Sequence, residues 1–167
     1  MPKPEVIEAF NEQIREELNS SYIYLALSAD LDALNLTGAA AWFRKQSTEE
    51  QGHAMRLYGF VNDIGGAVVL QALPQPPSGT KTLKEAFTRA LAHEKHISAS
   101  IHKLVRLCRQ LDDIAAESFL KWFVDEQVEE EKTAADILAK IELTGASSGS
   151  QYLIDRDLGK KAASAED

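Results

Sequence analysis

Shifting the sequence by 77 positions returns much of its chemistry. Val6 maps to Leu83, Phe10 to Phe87, Ile14 to Leu91, Leu27 to Leu104, Val61 to Leu138 and Ile64 to Ile141. Both halves place apolar residues three or four apart, the spacing of one helical face. A chain built this way must bury two equivalent sets of stripes. Two helical hairpins related by a local two-fold, packed as an all-α four-helix bundle, do so.

Glycine and proline punctuate the pattern. Pro2, Pro4, Pro74, Pro76 and Pro77 all avoid the interiors of the long periodic segments. The first helix is expected from Pro4 to about Leu34, and the second from Thr37, as N-cap, to Gly65-Gly66. The third is expected over about Thr82–Gln110, capped by Thr80 or Thr82, and the fourth from Asp112 to Thr144. After "GASSG" a short fifth helix is expected over about residues 148–158, followed by a frayed "AASAED". Residues 1–167 thus read as a single domain, with the bundle over about 4–144.

Short links make helices one and two, and three and four, antiparallel neighbours. The link "GGAVVLQALPQPPSGT" is 16 residues long. Extended, such a link reaches about 50 Å, against about 42 Å for a helix of about 28 residues. It can therefore cross the length of the bundle and leave helices two and three parallel. Its apolar "AVVLQAL" is expected to pack on the bundle side or on another subunit.

Each apolar stripe is interrupted near mid-helix. Helix one carries Glu17 between Ile14 and Tyr24, and helix two carries Glu50 and His53 between Phe43 and Leu57. Helix three carries Glu94 between Ala90 and Ile97, and helix four carries Gln127 and Glu130 between Phe123 and Ala134. The 77-residue shift takes Glu17 to Glu94, Glu50 to Gln127 and His53 to Glu130. A buried, unpaired carboxylate is strongly unfavourable. Four that converge need compensation, and two divalent cations supply it. Carboxylates with one imidazole suit iron or manganese, with zinc possible. A single such residue is more often a satisfied core group; the joint pattern over four helices is what points to metal.

The segment "KWFVDEQVEEEK" raises the question of a wet face against a cation site, since like charges three or four apart repel. Here Gln127 and Glu130 fall on the core stripe, Glu126 and Glu129 sit one step round, and Asp125 and Glu131 read as solvated acids. Tyr24 is either a core tyrosine or a group acting beside the site. Trp42 and Trp122 read as packing, and His93, His96 and His102 as surface residues.

Composition excludes several classes. A formal charge of −8 disfavours nucleic acid. With Cys108 alone there is no intrachain disulfide or cysteine cluster, which fits a reducing cytoplasm. The acid-bearing N-terminus does not read as a signal peptide, and no apolar run is long enough to span a membrane.

"REELNSSYIYLA", "TEEQGHAMRLY", "ALAHEKHISAS" and "DEQVEEEK" together resemble the bacterial non-haem ferritins, within the ferritin-like diiron-carboxylate superfamily. The last motif is Gln-x-x-Glu, unlike the Glu-x-x-His of bacterioferritin and rubrerythrin. Gln51 stands where bacterioferritin has a haem-ligating Met, so no haem is expected. The resemblance implies a first iron site of Glu17, Glu50 and His53. It implies a second of Glu50, Glu94 and Glu130, with Gln127 and Tyr24 beside the pair. It also implies a third, more solvent-facing site of Glu49, Glu126, Glu129 and Glu130.

The implied activity is that of a ferroxidase, oxidising Fe2+ with O2 or peroxide and storing ferric mineral in a homo-oligomeric shell of 24 subunits. The alternatives are a diiron or dimanganese oxidase, peroxidase or catalase that stores nothing, and a metal-buffering bundle without redox chemistry.

Overall fold

The computed structural model describes residues 3–164 and contains five helices: α1 Pro4–Ala33, α2 Thr37–Asp63, α3 Leu83–Gln110, α4 Ile114–Thr144 and α5 Ser148–Ala163. The sequence repeat is also a structural one. Adding 77 to the last residue of α1, Ala33, gives the last residue of α3, Gln110; adding it to Thr37 gives Ile114, where α4 starts. The two hairpin turns are equivalent too. Asn35 and Asp112, again 77 apart, are the non-glycine residues with positive φ among the described residues, 60° and 53°. Asn and Asp tolerate this left-handed conformation better than other side chains with a Cβ.

Cross-helix contacts fix the directions. Ser28 and Ser47 of the first hairpin bond to the Ala40 and Ser21 carbonyls, so α1 and α2 run antiparallel. Gln13–Ser100 and Ser20–His93 make α1 and α3 antiparallel, and Gln127–Glu94 with Lys84–Glu142 does the same for α3 and α4. Helices α2 and α3 are therefore parallel. The crossover between them is pinned at both ends of α1. Buried Asn11 donates to the Ala67 carbonyl at 3.0 Å and accepts from Val69 N–H at 2.9 Å. Near the other end, Thr80 N–H donates to Asp30 at 2.8 Å. Val69 and Leu70 of the "AVVLQAL" stretch remain exposed.

The caps partly follow expectation. The Thr82 hydroxyl accepts from Glu85 N–H, and Glu85 accepts in return from Lys81 N–H, a near capping box. Thr80 is not a cap but is buried, its hydroxyl accepting from Arg89. Thr37 is the first helical residue rather than the cap. Leu36 holds that position, and Asp155 of α5 supplies the missing acceptor to Ala39 N–H at 2.8 Å. Helix α4 starts at Ile114, two residues after the expected Asp112, and Asp113 caps it.

Helix α5 continues to Ala163, past the expected stop: Ile154 and Leu158 are buried in the cluster that holds Ala39, Ala40 and Phe43 of α2, and Ala162, one turn further on, packs against the same cluster. Gly38 makes this close crossing possible: a Cβ there would lie 2.0 Å from the Asp155 carbonyl oxygen. The tail expected to fray lies, beyond Ser164, outside the described residues.

Two apolar clusters fill the bundle. One gathers Phe43, Phe87, Leu31 and Ile137; the other gathers Phe10, Leu57, Ile101 and Phe123. The polar interruptions form a girdle between them.

Candidate metal centre

Each of the four bundle helices contributes to the girdle at the level where its stripe is broken. Glu17, Glu50, His53, Glu94 and Gln127 are all buried, and Glu130 is partly so. Oxygens of Glu17 and Glu50 and a ring nitrogen of His53 lie within 4.8 Å of one another. One helical turn brings His53 Nδ1 to 3.2 Å from Glu50 Oε2. Among the described residues a second such group is His53, Glu126 and Glu130, so the imidazole is shared between the two.

Glu94 belongs to neither group, and both its oxygens have hydrogen-bond partners. The Tyr24 hydroxyl donates to Oε1, and the Gln127 amide donates to Oε2 at 3.1 Å. Tyr24 therefore acts through its hydroxyl as well as by packing on Phe43.

Glu49, Glu126, Glu129 and Glu130 line a cleft of about 400 Å³ between α2 and α4, together with Gln46, His53 and Trp122. Glu129 is exposed and Glu126 half-buried, so this cleft is the wet side of the girdle. The Gln46 amide donates to Glu49, which also pairs with Lys45 Nζ at 3.8 Å. Asp125 is exposed and paired with Lys121 at 2.8 Å, a solvated role as expected. Trp42 packs on Phe43 and Phe87, whereas Trp122 meets the His53 ring edge-on at 5.3 Å under the Arg56 guanidinium.

Electrostatics follow from burial. Desolvation, and after it the Glu50 carboxylate, pushes Glu17 well above the usual carboxylate range. Desolvation and the Glu94 and Glu130 charges do the same to Glu50. Burial also raises Glu94, against the opposing pull of the Tyr24 and Gln127 hydrogen bonds. Glu130 is pushed up to about 8 by burial and then by Glu94. Burial thus favours the protonated carboxyls while no cation is present, and a cation would compete with those protons.

Sequence reasoning missed three participants. His93 is not a surface residue. It is half-buried, bonded to Ser20 at 2.7 Å and set edge-on against Tyr24 at 5.9 Å; burial lowers it to about 4. Its partners lie on α1, beyond the reach of a single-helix pattern. His96 and His102 are exposed, as expected. Gln13 is buried beside Glu17 and donates to its Oε1 at 2.9 Å. Its place one turn before Glu17 was the available signal. Ser98, 3.3 Å from the Gln127 amide, sits one turn after Glu94.

Comparison with known proteins gives a consistent picture. Residues 7–144 match the model of the ferritin family, described as a ferritin-like domain. The chain is 36% identical over 158 residues to the bacterial non-heme ferritin of Escherichia coli, covering 95% of this chain and 96% of that one. It is 35% identical over 160 residues to a probable bacterial non-heme ferritin-like protein of Haemophilus influenzae, covering 96% and 97%. Among solved structures, an open-pore ferritin from the archaeon Archaeoglobus fulgidus superposes with a TM-score of 0.93 at 38% identity, covering 94% of this chain and 96% of that one.

Proposed function

The chain belongs to the ferritin family, and on that premise we propose that it is an iron-storage ferritin with ferroxidase activity. Its reaction is the oxidation of Fe2+ to Fe3+ by O2 or peroxide, with deposition of ferric mineral in a homo-oligomeric shell. The observation that carries this reading is the convergence of Glu17, Glu50 and His53 inside the bundle, beside an acidic cleft that shares His53 and Glu130.

Iron is the substrate, and it supplies the electrons that reduce the oxidant. Glu17, Glu50 and His53 would hold one ion; Glu50, Glu94 and Glu130 would hold the second, with Glu50 between them. The donor set fits Fe2+: hard carboxylates with one borderline imidazole. The residues' own work is proton and charge management. Glu17, Glu50, Glu94 and Glu130 give up their protons as iron arrives. Gln127 and Tyr24 keep Glu94 oriented. The neutral Gln127 leaves the pair less anionic than a further carboxylate would, which favours release of Fe3+. Glu49, Glu126, Glu129 and Glu130 form a third, wetter site along which iron leaves or arrives.

Self-assembly fits the exposed Val69 and Leu70 of the crossover, and the family suggests a shell of 24 subunits. No haem is invoked. Among the described residues no helix is long and apolar enough to cross a membrane; we place the protein in the cytoplasm, without nucleic-acid or membrane partners. The runner-up is a non-storing diiron or dimanganese oxidase or peroxidase of the same fold. The acidic cleft favours storage, because such an oxidase has no need of an outward path for iron.

Aerobic Fe2+ loading followed by size separation tests storage. Iron co-eluting with a large protein assembly is expected. A monomer- or dimer-sized species carrying no iron would sink the storage reading.

A further inference from the structure

We propose that Gln13 is a positioning residue that makes Glu17 a one-oxygen metal ligand, its amide occupying Oε1 and leaving Oε2 for the ion. This rests on the metal-binding reading above.

Gln13 lies one turn before Glu17 on α1 and is almost fully buried, at 2% exposure. Its Nε2 donates to Glu17 Oε1 at 2.9 Å, and its Oε1 accepts from Ser100 Oγ on α3 at 2.5 Å. The amide is held from both sides. A flipped amide would set its oxygen against Glu17 Oε1, and two acceptors repel whenever Glu17 is ionised. Metal ligation needs Glu17 ionised, so the observed orientation is the one compatible with a bound cation.

The other oxygen, Glu17 Oε2, is buried and accepts no hydrogen bond from an amide, hydroxyl or backbone donor. The Glu50 carboxyl is the polar group beside Glu17, and it can share a proton with Glu17 but cannot donate once both are ionised. An ionised oxygen left this way is costly. Glu17 groups with Glu50 and His53, so a cation among them supplies the partner.

The repeat sharpens the point. Adding 77 to Gln13 gives Ala90, so Glu94 has no such tether from its own helix. Both Glu94 oxygens are instead engaged from other helices, by Tyr24 and Gln127. The pseudo-symmetric carboxylates are thus prepared differently, one with a free oxygen and one with none. Ser100 anchors the tether at a groove between α1 and α3, on the far side of the bundle from the acidic cleft.

The test is anaerobic titration of the metal-free assembled protein with Co2+, read by calorimetry and by the ligand-field spectrum. Gln13→Met, of similar length but without the amide, is expected to weaken the tightest Co2+ site by about 10–100-fold, as loss of an outer partner does. Its spectrum is expected to move toward the weaker bands of higher coordination as both Glu17 oxygens reach the metal. Ser100→Ala is expected to change affinity and spectrum in the same direction by less. Wild-type affinity and spectrum in both variants would overturn the proposal. If Gln13→Met fails to fold, an unchanged Ser100→Ala overturns it alone. Glu17→Ala and Glu50→Ala are the controls: if both bind Co2+ as wild type does, the metal reading has failed, and this inference with it.

Discussion

Gln127 Nε2 donates to Glu94 Oε2 at 3.1 Å and to the Glu94 backbone carbonyl at 3.2 Å. One amide therefore holds both a buried carboxylate and the helix that carries it. Gln127→Leu would remove a donor from a buried acceptor, and is expected to cost about 1–3 kcal/mol in the metal-free protein. Gln127→Glu adds a fifth girdle carboxyl. Fe3+ formed in that variant is expected to leave more slowly when a chelator is added, as followed by the chelate's colour. Release as fast as wild type would contradict the role given to a neutral residue here.

Stability without metal should fall as pH rises. Glu17, Glu50 and Glu94 are raised in the folded protein and Glu130 is raised to about 8, from an ordinary value near 4.5. A raised acid keeps its full contribution to stability below its unfolded value and loses it as pH climbs through the folded one. The window is therefore about pH 4.5 to about pH 8 for Glu130. Denaturation of metal-free protein across that window should show declining stability. Saturating divalent metal, which binds only the deprotonated girdle, should reverse the slope. A flat profile without metal would contradict the burial account.

Much of this girdle was legible because helical period is a local property. Glu17, Glu50, His53, Glu94, Gln127 and Glu130 each break an otherwise apolar stripe, and the 77-residue shift aligns them. What was illegible depends on partners distant in sequence. His93 is half-buried against Ser20 and Tyr24 of another helix. The start of α2 is capped from Asp155, a residue 116 positions away. Nothing local to Thr37 or His93 carries that information. The turn residues Asn35 and Asp112 could have been read from the repeat, since the shift aligns them.

The first part of the crossover is held by one side chain near the start of α1, Asn11. Asn11→Ala leaves the Ala67 carbonyl and the Val69 N–H without their partner. A loss of about 1–3 kcal/mol is expected, together with faster proteolysis around Leu70. Unchanged cleavage there would mean that other contacts hold the link.

Helix α5 depends on Gly38. A methyl group at that position meets the Asp155 carbonyl at 2.0 Å, and backbone cannot yield as a flexible side chain does. Gly38→Ala is expected to cost about 1–3 kcal/mol and to raise hydrogen exchange across α5 more than in α1. Wild-type exchange in α5 would show that the helices separate without penalty.

Stopped-flow oxidation tests the central claim most directly. Metal-free protein is loaded with Fe2+ anaerobically and mixed with O2 while ferric absorbance in the near ultraviolet is followed. Wild type is predicted to give a fast, O2-dependent ferric signal, which Glu50→Ala loses while keeping its helical content. No O2-dependent signal in wild type, or one undiminished in Glu50→Ala, would contradict the account.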